Sequence, residues 1–299
     1  MDKAVPATIE DRITPEEMGR FLARSNGSAA WTTAFNLGVI AIAFALPALW
    51  LNPLTLLLAV LLLGGRQLGL AVLYHECAHR SFFESRRLND ALGHWLFGGL
   101  LNSSLTRYRN YHLKHHRLAG TAEDPDLALA SAYPATRASM RRKLFRDCTG
   151  QTGFKDVKRQ FGNLGWRRNA PFLASHAALL GALALAGVPW AYPLWWVAYL
   201  FVYQVVVRIR FISEHGVAAD RLSRDPRDNT CTTLIGWWER LLIGPNFVNF
   251  HLEHHLHAGV PCYRLPAFHR LLTTRGYFAP ARSVSRGYAE VLRRAVQPA

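Results

Sequence analysis

Four stretches of the chain carry almost no charge, and they limit the possible fold more than any other feature. Trp31 to Trp50, Pro171 to Gly187 and Trp190 to Val207 contain no Asp, Glu, Lys or Arg, and Pro53 to Leu73 contains only Arg66. Each is about the 17–25 residues that a helix needs to cross a bilayer. Inside lipid every backbone N–H and C=O must be satisfied within the chain, so segments of this kind fold as helices. Only Leu51 to Pro53 and Val188-Pro189 link the members of each pair. Two helical hairpins are therefore expected. A soluble all-α protein with buried helices is the alternative, and minimal turns between four such segments argue against it.

Charge orients the hairpins. The tight links carry no Lys or Arg, whereas the first 30 residues carry 4, His75 to Asn169 carry 17, and Arg208 onward carry 13. The positive-inside rule places both termini and the long central segment in the cytoplasm. The expected fold is an all-α integral membrane protein, with four transmembrane helices in two hairpins and a cytoplasmic helical cap. Its order within one domain is an arm (1–30), a first hairpin (31–74), a cytoplasmic segment (75–169), a second hairpin (170–207) and a tail (208–299). Trp50, Trp190, Tyr192, Trp195 and Trp196 then form an aromatic belt at the far interface, with Trp31 at the near one. Asn89 to Leu105 is too polar for a span and reads as an interfacial or re-entrant helix, and Val157 to Trp166 as a surface helix. The arm lacks a basic n-region, so no cleavable leader is expected and the first hairpin directs insertion.

The net charge of +15 fits this topology and attraction to anionic headgroups. It also suits acidic partners such as a ferredoxin or an acyl carrier protein. Nucleic acid is not an expected partner, because the basic residues are scattered and form no recognisable nucleic-acid module. Cys77, Cys148, Cys231 and Cys262 make no C-x-x-C pair and read as free thiols.

Chemistry is concentrated in three histidine clusters: His75 and His79; His112, His115 and His116; His251, His254 and His255. Spacings of i, i+3 and i+4 put each set on one side of a helix. By the expected topology all three emerge on the cytoplasmic side and can converge. Neutral imidazole suits iron, zinc, copper and nickel. A structural zinc takes four ligands, so this many donors point to two metals. Glu76, Asp124, Asp126, Glu214 and Glu253 sit in or beside the clusters and are candidates to accept the other ring N–H and orient the ligands. Asn246 and Asn249 are candidates to orient ligands or a metal-bound water. His176 in the third span suits an interhelical hydrogen bond, and His94, His257 and His269 read as ordinary surface histidines. Arg66 is expensive in lipid, so it is either functional or snorkels to the headgroups.

These boxes and their surroundings resemble the membrane-bound fatty acid desaturase and hydroxylase family. The resemblance rests on HECAHRSFF (75–83), YHLKHH (111–116) with Gly120 and DPD (124–126), and NFVNFHLEHH (246–255) followed by Pro261 and Leu265-Pro266. It implies a non-haem diiron site facing the cytosol that uses O₂ to remove hydrogens from an unactivated aliphatic chain. His215 matches a family histidine beyond the fourth span and is carried over as a ninth ligand. Phe211 stands where stearoyl-type members have an Asn, and the first box is the shorter H-x-x-x-H. Both features move the resemblance toward bacterial desaturases, hence a bacterial inner membrane, and toward carotenoid-modifying relatives.

The function expected is O₂-dependent desaturation of a fatty acyl chain. Electrons come from an external donor such as a ferredoxin, because the chain has no haem, flavin or iron–sulfur motif. A hydroxylase or ketolase acting on a carotenoid or another lipid is the nearest alternative. A non-catalytic metal transporter or sensor is the alternative from another class.

Overall fold

The computed structural model describes residues 9, 12–162, 165–278 and 283–297; residues 1–8, 10 and 11 of the expected arm lie outside them. A short helix α1 (Pro15–Leu22) precedes the antiparallel pair α2 (Asn26–Leu49) and α3 (Pro53–His79). The turn between them is set by Asn52, whose side-chain oxygen accepts from Leu54 N at 3.0 Å and Thr55 N at 3.1 Å, with Pro53 at the first helical position. Helix α3 has 27 residues, about 40 Å at 1.5 Å per residue, which exceeds a hydrocarbon core of about 30 Å. Its surplus is the turn that carries His75 and His79. It ends at Arg80, in the left-handed conformation (φ 56°).

Among the described residues three helices are long and apolar enough to cross a membrane: α2, α3 and the helix Pro189–Gly216. The remaining apolar block lies in a helix of 20 residues, Trp166–Leu185, which falls short because Arg168 and Asn169 occupy its first turn. In chain order the rest of the framework is α4 (86–100), α5 (Leu105–Leu118), α6 (Arg137–Cys148), α7 (Gln151–Phe161), α8 (Trp166–Leu185), α9 (Pro189–Gly216), α10 (Trp237–Leu242), α11 (His251–Leu256), α12 (Leu265–Thr274) and α13 (Gly287–Arg294). One departure from all-α is a pair of short parallel strands, β1 (Thr232–Leu234) and β2 (Val284–Arg286), which ties the tail to the segment before α11.

The core lies between the spans and α4, around Leu63, Leu70, Leu73, Phe97 and Trp195. The segment that reads as interfacial is α4, and its glycines explain where it goes. A Cβ on Gly99 would stand 2.3 Å from Ser175 Oγ and 2.8 Å from Pro171 O, so α4 and α8 pack backbone to backbone. His176 of α8 bonds Tyr192 OH at 2.8 Å and Leu100 O at 3.2 Å, the interhelical role expected of it. The second surface helix occupies 151–161 rather than Val157 to Trp166.

Arg66 does not snorkel. It is 1% exposed, bonds Asn36 Oδ1 at 3.3 Å and Arg240 O at 3.2 Å, and also donates to Leu241 O. The tertiary fold offers it the carbonyl end of α10. A second buried charge links α6 to α9. Asp147 is fully buried and accepts from Arg208 Nη2 at 2.9 Å, from Arg208 Nε, and from Thr152 Oγ1 at 2.6 Å. Removing one member of such a pair leaves its partner uncompensated. Asp147→Ala should therefore cost about 3 kcal/mol, read as a lower thermal midpoint in detergent; an unchanged midpoint would contradict this.

Candidate metal centre

Four helices bring all nine expected imidazoles together at the end of the bundle where α3 and α9 finish. Helix α3 supplies His75 and His79 from its last turn, and α5 supplies His112, His115 and His116. Helix α5 is held there by Arg109, which donates to Ala78 O at 2.8 Å and Cys77 O at 2.9 Å, carbonyls of the last turn of α3. Helix α9 supplies His215 from a closing π-type turn, Ile212–Gly216. That wider turn buries both Glu214 and His215. Helix α11 supplies His251, His254 and His255. It follows a tight bend in which Asn246 and Phe247 adopt positive φ values of 53° and 64°.

The imidazoles form two groups. Ring nitrogens of His75, His79, His112, His116 and His254 lie within 4.8 Å of one another, as do those of His115, His215 and His255. His251 joins the second group, with its Nε2 3.0 Å from His215 Nε2. Facing nitrogens approach to 3.0 Å in His112–His116, 3.1 Å in His116–His254 and 3.3 Å in His115–His255. Ligands about 2.1 Å from a shared ion at tetrahedral or right angles stand about 3.0–3.4 Å apart, so the spacing suits metal coordination. His75 Nε2, His79 Nε2 and His254 Nδ1 are buried with no hydrogen-bond partner. A buried nitrogen without a partner is costly, and a cation in the five-histidine group would satisfy His75 Nε2 and His79 Nε2. Burial, and then the neighbouring imidazoles, push His112, His116, His251, His254 and His255 well below the ordinary histidine pKa, with Arg210 adding to the effect at His251. They are therefore neutral, the form that binds a metal.

The carboxylates divide by position. Asp124 accepts from His115 Nδ1 at 2.8 Å, and Asp126 lies 3.6 Å from the same nitrogen while accepting from Tyr111 OH at 2.5 Å. Burial alone would raise the Asp124 pKa, yet the His115 bond and the Asp126 N–H hold it below the usual carboxylate range. Glu214 lies 3.4 Å from His251 Nδ1. Glu76 lies 3.3 Å from His75 Nδ1, and its other oxygen accepts from Cys262 N at 2.8 Å. Three candidates face elsewhere. Glu253 points away from the imidazoles to His269 Nδ1 and Thr232 Oγ1, because the clustered side of α11 is already filled by histidines. Asn249 donates to Thr233 O at 2.9 Å, and Asn246 bonds Asn36 and Gly69 O, so both anchor the chain before α11. Asp124→Asn should weaken metal affinity about 10- to 100-fold, measured by metal retention during dialysis against a chelator; unaltered retention would remove Asp124 from this role.

Several residues at the site have no motif to mark them. Arg210 donates to Glu214 Oε1 at 2.5 Å, Tyr108 stacks on the His112 ring at 5.3 Å, and Asn229 O faces His215 Nδ1 at 3.2 Å. His269, which reads as a surface histidine, is the partner of Glu253. Phe211 places its ring 6.3 Å from that of His215. Beside His75 opens a cavity of about 760 Å³, whose lining includes Val72, Tyr108, Val207 and Arg210 together with Lys155, Asp156 and Arg159.

The Fatty acid desaturase family model matches residues 48–284. A beta-carotene ketolase of Paracoccus sp. (strain PC1) is 31% identical over 227 residues, covering 70% of this chain and 78% of its own length. An sn-1 oleoyl-lipid 12-desaturase of Picosynechococcus sp. is 26% identical over 276 residues, 80% of this chain and 75% of its own. A dihydrorhizobitoxine desaturase of Bradyrhizobium elkanii is 24% identical over 252 residues, 72% of this chain and 66% of its own.

Proposed function

The chain belongs to the fatty acid desaturase family and is an oxidoreductase of that superfamily, and on this premise we propose that it desaturates a fatty acyl chain bound in the cavity beside His75. The observation that carries the proposal is that one cavity is lined by His75 of the metal centre, by apolar side chains and by charged ones. Val72 and Val207 are among its apolar lining, and Lys155, Asp156 and Arg159 among its charged lining. A long apolar chain with a polar or anionic head matches both. Two iron ions held by the nine histidines would supply the O₂ chemistry that removes two hydrogens from adjacent carbons.

The protein's own residues hold the geometry. With its Nδ1–H given to Asp124, His115 presents Nε2 to the centre, and Glu214 does the same for His251. The cavity walls place one C–H beside the rings and exclude water. Four electrons are needed to reduce O₂ to two waters. The new double bond supplies two, and an external one-electron donor such as a ferredoxin supplies the other two, with two protons. The basic surface suits an acidic donor. In this reading α8 is the third of four spans, paired with α9, the membrane is a bacterial inner membrane, and the distribution of Lys and Arg supports a cytoplasmic location for the histidines and both termini.

A second reading, ketolation of a carotenoid, is supported by the 31% identity to the ketolase. Carotene carries no charge, so it would match the apolar wall but leave Lys155 unused, Arg159 being already paired with Asp156. Expression in a lipid- and pigment-producing host, against a His251→Ala control, separates the two. Loss of two hydrogens from an acyl chain is the expected result, and an oxygen-bearing pigment instead would overturn it.

A further inference from the structure

The opposite face of α3 carries a second cavity that the histidine chemistry does not use. Arg66 lies about 180° around the helix from His75, at 100° per residue. It lines a space of about 720 Å³ closed by Trp31 and Phe35 of α2, Trp237 and Arg240 of α10, and Phe247. We propose that this cavity binds an anionic phospholipid, its phosphodiester on Arg66 and Arg240 and an acyl chain along α2.

Charge is the first argument. None of the residues lining the cavity is acidic. Among the described residues neither Arg66 nor Arg240 forms an ion pair, and the Nε of each is buried without a hydrogen-bond partner. Arg66 spends its other donors on Asn36 and on two carbonyls, and Arg240 lies over the Phe247 ring at 4.8 Å. Two guanidinium groups among aromatic walls, with no counter-charge, are costly. A phosphate oxygen would supply both the charge and the missing acceptors.

The surface of α2 is the second argument. Trp31, Phe35, Ile42 and Leu49 are exposed, and their spacing puts them within about 40° of one another around the helix. The row starts at the cavity and follows α2 for about 27 Å. An acyl chain leaving the arginines would therefore lie on apolar surface throughout. Trp31 and Trp237 are 73% and 80% exposed beside the cavity, the placement favoured by amphipathic rings at a headgroup layer. Inorganic phosphate would match only the charged end.

The test uses the full-length protein in nanodiscs containing phosphatidylglycerol and phosphatidylcholine. It is followed by extraction in mild detergent and counting of retained lipid by native mass spectrometry. The wild type should retain phosphatidylglycerol in preference to phosphatidylcholine. Arg240→Gln should lower that retention about tenfold, the scale of one lost charge-assisted contact. Arg141→Gln, at an exposed position on α6, should leave it unchanged. Elution volume and metal content establish that the Arg240 variant is folded, and Arg66→Gln is the second variant. Inorganic phosphate should fail to displace the lipid. Equal retention of both lipids, unchanged retention in folded Arg240→Gln, or displacement by phosphate would overturn the proposal. Turnover is not part of the readout, so either outcome leaves the assignment of the histidine site standing or falling on its own test.

Discussion

His254→Ala is expected to abolish turnover and to strip the five-histidine group of its ion. His254 is the hub of that group. Its Nε2 lies 3.1 Å from His116 Nε2, and its ring packs at 4.5 Å on His75 and 4.7 Å on His79. Removal deletes a ligand and also leaves the remaining neutral imidazoles without the shared ion that justifies their burial. A loss of at least about 10³-fold in rate is expected, equivalent to about 4 kcal/mol in the barrier. Metal analysis of the purified variant should show the deficit beside that loss, with membrane insertion retained. Full activity with a full metal complement would dismiss the shared-site assignment.

Val207→Trp should be nearly as damaging while leaving the metals in place. Val207 lies on α9 three residues before Arg210, and it lines the cavity beside His75. Because it is only half-buried, an indole there can extend into the cavity instead of forcing the helices apart. The substrate carbon would then be held away from the reacting position. A displacement of about 1 Å can cost about 10²-fold, so a fall in kcat/KM of about that size is expected with unchanged metal content. Wild-type turnover and product position in this variant would show that the substrate enters elsewhere.

Much of the site is legible in the sequence because helical periodicity is local. The i, i+3 and i+4 spacings define the imidazole stripes, and the caps at Asn52 and the apolar length of α3 determine that His75 and His79 emerge past the span. Residues whose partners lie far away in sequence are not legible in this way. Arg66 reads as a snorkelling or functional charge, but its partners are carbonyls of Arg240 and Leu241. Glu253 sits inside a histidine box, yet it turns to His269. Arg210 looks like one more positive charge near the end of a span, and it lies against Glu214 beside the cavity. The π-type turn at Ile212–Gly216 is also invisible to a period of 3.6, since it adds a residue to one turn.

From the sequence alone come the apolar helices, the side of each helix on which the histidines lie, and the family chemistry that those boxes carry. Helix formation and amphipathic spacing depend on neighbours within a few residues, so they are written locally. Only the tertiary structure decides that the nine imidazoles divide into two groups, which carboxylates hold them, and that separate cavities open on opposite faces of α3. Those outcomes depend on how α3, α5, α9 and α11 pack, and packing is a balance of burial and hydrogen bonding among residues up to 263 positions apart.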